Sequence, residues 1–218
     1  MIELGIDESG RGSLLGPLVV GFAIIDENQK KLLEDKKITD SKLMTAKRRL
    51  FFWNYSRRIK CITGVRIASS KEVDNINLNF LETVIFSKII QENYKENMKI
   101  IIDAFVQPEK LQELSVKLAY VSEIPGNAIV ALNKAEIQST AVALASIIAR
   151  VEWDTEVKII KKDIKEKFGI NDIGNLYTPD HKTLRFVRDH KDYSEIRQSF
   201  HLTGKNWEKI LNEPLDKR

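Results

Sequence analysis

The positions best suited to chemistry are four acids, Asp7, Glu8, Asp103 and Glu136. Asp7 and Glu8 stand at the end of the alternating stretch Ile2 to Asp7, and Asp103 closes the short apolar run Met98 to Ile102. If those two segments are neighbouring strands, their carboxylates converge. Adjacent carboxylates repel and raise one another's pKa unless a cation neutralises them, so such a cluster points to a metal site. Oxygen donors without nearby Cys or His favour Mg²⁺ or Mn²⁺ over Zn²⁺. Glu136, just upstream of a long apolar helix, is a candidate fourth ligand. Taken singly, each acid reads as a surface charge or a helix-start residue favoured by the dipole; only the combination argues for a site.

Between Glu8 and the next apolar run lies Gly10-Arg11-Gly12. Glycines let a backbone approach a phosphate closely, but no Gly-Lys-Ser/Thr follows and Gly16 precedes Pro17, so no nucleotide-binding loop is formed. On the glycines alone, the segment reads as a tight turn between two strands.

The elements that must position these residues follow from periodicity. Ile2, Leu4 and Ile6 alternate with Glu3, Gly5 and Asp7 in a first strand, and Leu18 to Ile25 reads as a second, largely buried one. Thr45 to Tyr55 has helical character, Cys61 to Ile67 alternates weakly as a strand, and Leu78 to Tyr94 repeats apolar residues at helical spacing. Met98 to Ile102 reads as a central strand, with Pro108 in the first turn of a following helix. Ser139 to Lys162 is a helix that begins buried and ends wet. Gly169 to Asp180 is a loop, and Thr183 to His190 a last short helix. The expected architecture is α/β, a single domain of 1–218 with a catalytic core over about 1–165 and a C-terminal helical extension over 166–218.

Composition removes other classes. With 218 residues, 43% hydrophobic and 30% charged, the chain is an ordinary folded protein rather than a disordered one. The single Cys61 permits no internal disulfide and suits a reducing compartment. No secretion signal or bilayer-length apolar run is visible, so a soluble, cytoplasmic protein without membrane partners is expected. The net charge of +4 and pI near 9.0 are compatible with a polyanionic partner. Two basic groups, Lys42 with Lys47, Arg48 and Arg49, and Lys158 through Lys167, read as solvated helix faces when taken alone.

The motifs together resemble type 2 ribonucleases H. Gly5-Ile6-Asp7-Glu8-Ser9-Gly10-Arg11-Gly12, followed by Gly16-Pro17-Leu18, is similar to that family's first motif. Asp40-Ser41-Lys42-Leu43 resembles its Asp-Ser-Lys motif, and Ile101-Ile102-Asp103 the strand holding its third acid. Lys134-Ala135-Glu136 with Ala145 to Arg150 is similar to the fourth-acid segment and its helix. Tyr177-Thr178 and Ile196-Arg197-Gln198-Ser199-Phe200 resemble the tyrosine and closing motifs. Arg11 and Tyr177-Thr178 look like ribonuclease HII, whereas Glu136 in place of Asp, its flanking residues and Asp7 to Gly10 are similar to ribonuclease HIII. The balance favours HII with an HIII-like fourth acid.

The resemblance implies a ribonuclease H-like fold, a mixed central sheet flanked by helices. It also implies an endonuclease that hydrolyses the RNA strand of RNA/DNA hybrids and cuts 5′ of ribonucleotides embedded in duplex DNA. Asp7, Glu8, Asp103 and Glu136 would hold two divalent ions, Mg²⁺ or Mn²⁺, and cleavage would leave 3′-hydroxyl and 5′-phosphate ends. Gly10, Arg11 and Gly12 would sense the 2′-hydroxyl through the backbone, Tyr177 would pack on the neighbouring sugar, and Lys42, with Lys47 and Arg48, would grip phosphates. Leu176 stands where the family usually has glycine. His181 and His190 read as surface histidines. No sliding-clamp peptide is evident in Trp207 to Arg218, and a monomer suffices. The alternatives are an HIII-like enzyme restricted to continuous hybrids and a non-catalytic hybrid-binding module. A DNA-only nuclease of the same fold would have no use for the Gly-Arg-Gly turn.

Overall fold

In a computed structural model, residues 1–177 and 180–197 are described. Thr178, Gln198 to Phe200 and the segment read for a clamp peptide, Trp207 to Arg218, lie outside the described residues. The described strands are β1 (Ile2–Ser9), β2 (Leu18–Ile25), β3 (Ile62–Ala68), β4 (Met98–Asp103) and β5 (Ile129–Leu132). The helices are α1 (Glu27–Asp35), α2 (Ala46–Arg58), α3 (Ser70–Asn75), α4 (Leu78–Asn93), α5 (Leu111–Ser122), α6 (Thr140–Phe168) and α7 (His181–Asp189). The strands form one mixed sheet in the order β3-β2-β1-β4-β5, with β1 antiparallel to β2 and parallel to β4, and β4 parallel to β5.

Local chemistry explains the element starts. Asp26 caps α1 in a reciprocal box with Gln29, and the Thr45 hydroxyl accepts from the Arg48 N–H at the start of α2. The sequence expectation missed α1, α3 and β5. In α1 only Leu33 is buried, and β5 has just four residues, so neither offers enough repeats for a pattern. Conversely β1 runs on to Ser9 and α6 to Phe168, past the boundaries read from sequence.

The chain divides into two compact units. The first comprises Met1–Ser9, Val19–Arg66 and Asn79–Glu152. Its core packs Ala23 and Ile25 of β2 with Leu33, Phe52 and Tyr55 and with Ala141, Leu144, Ala145 and Ile148 of α6. The approach of α6 to the sheet is close enough to require glycine beneath it. A Cβ on Gly5 would lie 2.2 Å from the Ala141 carbonyl carbon, and one on Gly21 2.4 Å from the Ala145 oxygen.

The second unit comprises Gly10–Leu18, Ile67–Leu78 and the described part of Trp153–Arg218. Leu14, Leu15, Ile160, Ile164, Ile173, Leu176, Phe186 and Ile196 form its apolar core. Thr183, wholly buried, ties the loop before Tyr177 to α7: its hydroxyl donates to Ile173 O (2.7 Å) and accepts from Leu176 N–H (3.0 Å). No helix among the described residues is long and apolar enough to cross a membrane.

Candidate active site

Strand pairing does what the sequence left conditional. Ile6 of β1 pairs with Ile102 of β4 in parallel register, which brings Asp7 and Asp103 to the next rung. Asp7 shares its sheet face with Gly5, the face α6 covers, and there the Ser146 hydroxyl donates to its carboxylate. Asp7 Oδ1 also accepts from the Glu8 N–H at 2.7 Å. Burial, followed by the charge of Asp103, pushes the Asp7 carboxyl up from 3.8 to about 7, against the smaller opposing pull of these hydrogen bonds and of Lys42.

Asp103 sits at the end of β4, where its Oδ1 accepts from the Ala135 N–H at 2.8 Å. That donor belongs to a turn entered through Lys134 in a left-handed conformation (φ 56°), which also swings Glu136 inward. Glu136 is 8% exposed, and its Oε2 is buried without accepting a hydrogen bond. Burial raises the carboxyls of both Asp103 and Glu136 above their usual range.

Lys42 follows Asp40, whose side chain caps the short turn Ser41–Leu43 by accepting from the Lys42 N–H at 2.8 Å. Partial burial alone would lower the Lys42 ammonium. The attraction of Asp7, Asp40, Glu136 and Asp103 outweighs it, and the net shift is upward. Three of the predicted acids and the predicted lysine therefore feel one another's charge within the first unit.

Glu8 is placed differently. Alternation along β1 turns it to the sheet face opposite Asp7. Among the described residues no three His, Cys, Asp or Glu side chains are gathered closely enough to hold a metal ion as they stand. The donor chemistry nonetheless suits a hard cation, since burial and the charge of Asp103 make Asp7 costly to ionise and Glu136 Oε2 has no donor to satisfy it. Lys42 supplies the positive charge there.

Gly10, Arg11, Gly12 and Tyr177 come together in the second unit. Ser13 bridges Tyr177 in antiparallel fashion, Leu14 N–H donates to Leu176 O at 2.7 Å, and a Cβ on Gly12 would meet the Tyr177 ring at 3.8 Å. Gly10 has φ +83°, and a Cβ there would fall 2.1 Å from Trp153 Nε1, so only glycine fits. Trp153 also packs against Tyr177, ring centroids 5.5 Å apart. Leu176 keeps the left-handed backbone (φ +72°) that a glycine would adopt freely.

Other candidate residues have structural engagements. Arg48 donates to Lys36 O and lies over the rings of Phe51 and Phe52. His190 packs against Phe168 and Phe186. Sequence reasoning gave no role to Ser41 and Ser146, although both lie inside quoted motifs. A serine in the apolar run Ala141 to Ala149 was the available signal, because a buried hydroxyl must find a partner.

Comparison with known proteins places these features. The family model for ribonuclease HII matches residues 4–203. Ribonuclease HII of Methanothermobacter thermautotrophicus is 36% identical over 193 residues, covering 86% of this chain and 88% of that protein. The ribonuclease H2 structure from Pyrococcus horikoshii is 28% identical with a TM-score of 0.75, covering 97% of both chains. The structure of the PCNA:RNase HII complex from Archaeoglobus fulgidus gives 30% identity and a TM-score of 0.72, covering 89% of each chain.

Proposed function

The chain belongs to the ribonuclease HII family, a group of ribonuclease H endonucleases, and from this premise we propose that it both hydrolyses the RNA strand of RNA/DNA hybrids and cuts 5′ of single ribonucleotides embedded in duplex DNA. The observation that carries the proposal is the electrostatic coupling of Asp7, Asp103 and Glu136 around Lys42 at adjacent strand ends. Carboxylates this costly to ionise have a use when a polyanion and its cations arrive together.

Asp7, Glu8, Asp103 and Glu136 would hold two divalent ions, Mg²⁺ or Mn²⁺. Such ions, when bound, lower the pKa of the attacking water and stabilise the leaving oxygen, which yields 3′-hydroxyl and 5′-phosphate ends. Asp7 is held for this task by Ser146, and Asp103 by the Ala135 N–H. Lys42 would exchange its carboxylate neighbours for a substrate phosphate, a sequence-independent contact. Gly10, Arg11 and Gly12 would present backbone N–H groups to the 2′-hydroxyl, and the Tyr177 ring would pack on the adjoining sugar. The enzyme would act as a cytoplasmic monomer.

Metal-dependent cleavage of two labelled duplexes tests this reading, one carrying a single ribonucleotide and one a continuous hybrid. Cutting of both, with the lone ribonucleotide cut on its 5′ side, is expected. Cutting of the continuous hybrid alone would establish HIII-like specificity, and no cutting in Mg²⁺ or Mn²⁺ would establish a binding module.

A further inference from the structure

Arg197 is the bulkiest wholly buried side chain among the described residues. A buried guanidinium is costly unless its donors are satisfied, so its partners reveal what it is for. Its Nε donates to Gly16 O at 2.6 Å, and its Nη1 to Gly10 O at 2.8 Å, Ser13 O at 3.2 Å and Arg11 O at 3.3 Å. All four acceptors are backbone carbonyls of one turn. The turn lies more than 180 residues upstream.

Peptide geometry converts this grip into an orientation. In a planar trans peptide the C=O of one residue and the N–H of the next point in opposite directions. No cis peptide bond occurs among the described residues. Drawing the Gly10 and Arg11 carbonyls onto the guanidinium therefore turns the N–H groups of Arg11 and Gly12 away from it. Gly12 is exposed and Arg11 half-buried.

The charge is not needed to fasten the segment. Gly16 N–H donates to Glu195 O at 2.9 Å, Arg197 N–H donates to Leu14 O at 3.0 Å, and Leu15 bridges Ile196. Buried ionic groups can often be replaced by apolar ones without loss of stability, whereas a planar fork fixes several acceptors in one geometry and a lysine does not.

We propose that Arg197 is a positioning residue for ribose recognition: its fork sets the Gly10–Arg11 and Arg11–Gly12 peptide planes so that the N–H groups of Arg11 and Gly12 meet a 2′-hydroxyl. This rests on the reading of that turn as the ribose sensor.

The test uses the full chain carrying Asp103→Asn, which keeps the duplex uncut, and measures binding by fluorescence anisotropy. One duplex contains a single ribonucleotide and the other is all DNA. The parent is expected to bind the ribonucleotide duplex about tenfold more tightly. Adding Arg197→Lys, and separately Arg197→Gln, abolishes most of that preference and leaves the affinity for the all-DNA duplex unchanged. Circular dichroism confirms that the variants are folded. A preference retained in folded variants overturns the proposal, as does an equal loss of affinity for both duplexes. Failure of both variants to fold also overturns it, since Arg197 would then hold the unit rather than the turn. A parent without preference refutes the sensor reading itself, a result visible before any Arg197 variant is made.

Discussion

The hydroxyls of Ser41 and Ser146 lie 2.8 Å apart, joining the turn that carries Lys42 to the middle of α6. Ser146 in turn stabilises the ionised Asp7, so a buried hydroxyl pair, in which either serine can donate to the other, ends on the acid that β1 presents to α6. Both serines are nearly inaccessible. The pair links the Asp-Ser-Lys turn to the first acid, so their relative placement is fixed before substrate arrives.

Ser146→Ala removes the donor that steadies the Asp7 carboxylate. Groups that orient a metal ligand are worth about 10- to 100-fold in metal affinity or activity, and a loss in that range is expected here. The Asp7 carboxyl rises further, so the acid limb of the pH–rate profile moves to higher pH. Titration of Mn²⁺ binding and the pH profile of cleavage check both effects; an unchanged profile would remove Ser146 from the positioning of Asp7.

Asp7 burdens the metal-free fold. Its carboxyl titrates near 7 when folded and near 3.8 when unfolded, so between these values the folded chain holds a proton that the unfolded chain has lost. Stability therefore falls as pH rises from about 4 to 7, and the penalty is complete above 7. In EDTA, Asp7→Asn should raise Tm at pH 8 by roughly 5 °C, with no gain at pH 4; in Mg²⁺ or Mn²⁺ the same change should abolish cleavage. Thermal melts at the two pH values decide it, and equal shifts at both would contradict the assignment.

Leu176 shows two opposing terms. A left-handed backbone costs a leucine about 1–2 kcal/mol, which glycine would recover. Its side chain, wholly buried in the core of the second unit, contributes more, since leucine truncations in cores cost about 2–5 kcal/mol. Leu176→Gly should therefore destabilise by roughly 2 kcal/mol, as read by denaturant unfolding. A neutral or stabilising result would mean that packing does not hold this residue in place.

Lys42→Ala should weaken binding to hybrid and all-DNA duplexes alike and lower the salt slope of log K by about one, the signature of one lost phosphate contact. In the free protein the surrounding carboxylates raise the Lys42 ammonium against the opposing effect of its partial burial. The same change should therefore raise the carboxyls of Asp7 and Glu136. Affinity measured across a salt series separates a phosphate contact from a purely internal role, for which the slope would not change.

Much of the frame was legible because it rests on local pattern. Alternation at Ile2 to Asp7 and the β-branched run Leu18 to Ile25 gave β1 and β2, and apolar spacing gave α4 and α6. The acids stood out because carboxylates at the ends of apolar strands need a reason. Short or weakly buried elements such as β5 and α1 carried too few repeats to register. The run of β1 to Ser9 sets Asp7 and Glu8 on alternate sides of the strand, which adjacency in sequence alone does not reveal.

Residue type and short-range spacing suffice for the α/β class, for the positions of the four acids and for the glycine turn. Which groups act on one another is settled across the fold. The β1–β4 register brings Asp7 beside Asp103, α6 lays Ser146 on Asp7, and Arg197 reaches back to the Gly10 to Gly16 turn. Leu176 in a left-handed backbone belongs with them, because only its buried surroundings offset the strain. Each of these is a hydrogen bond, charge pair or packing contact between residues distant in the chain, and no periodicity along the chain encodes such a partner.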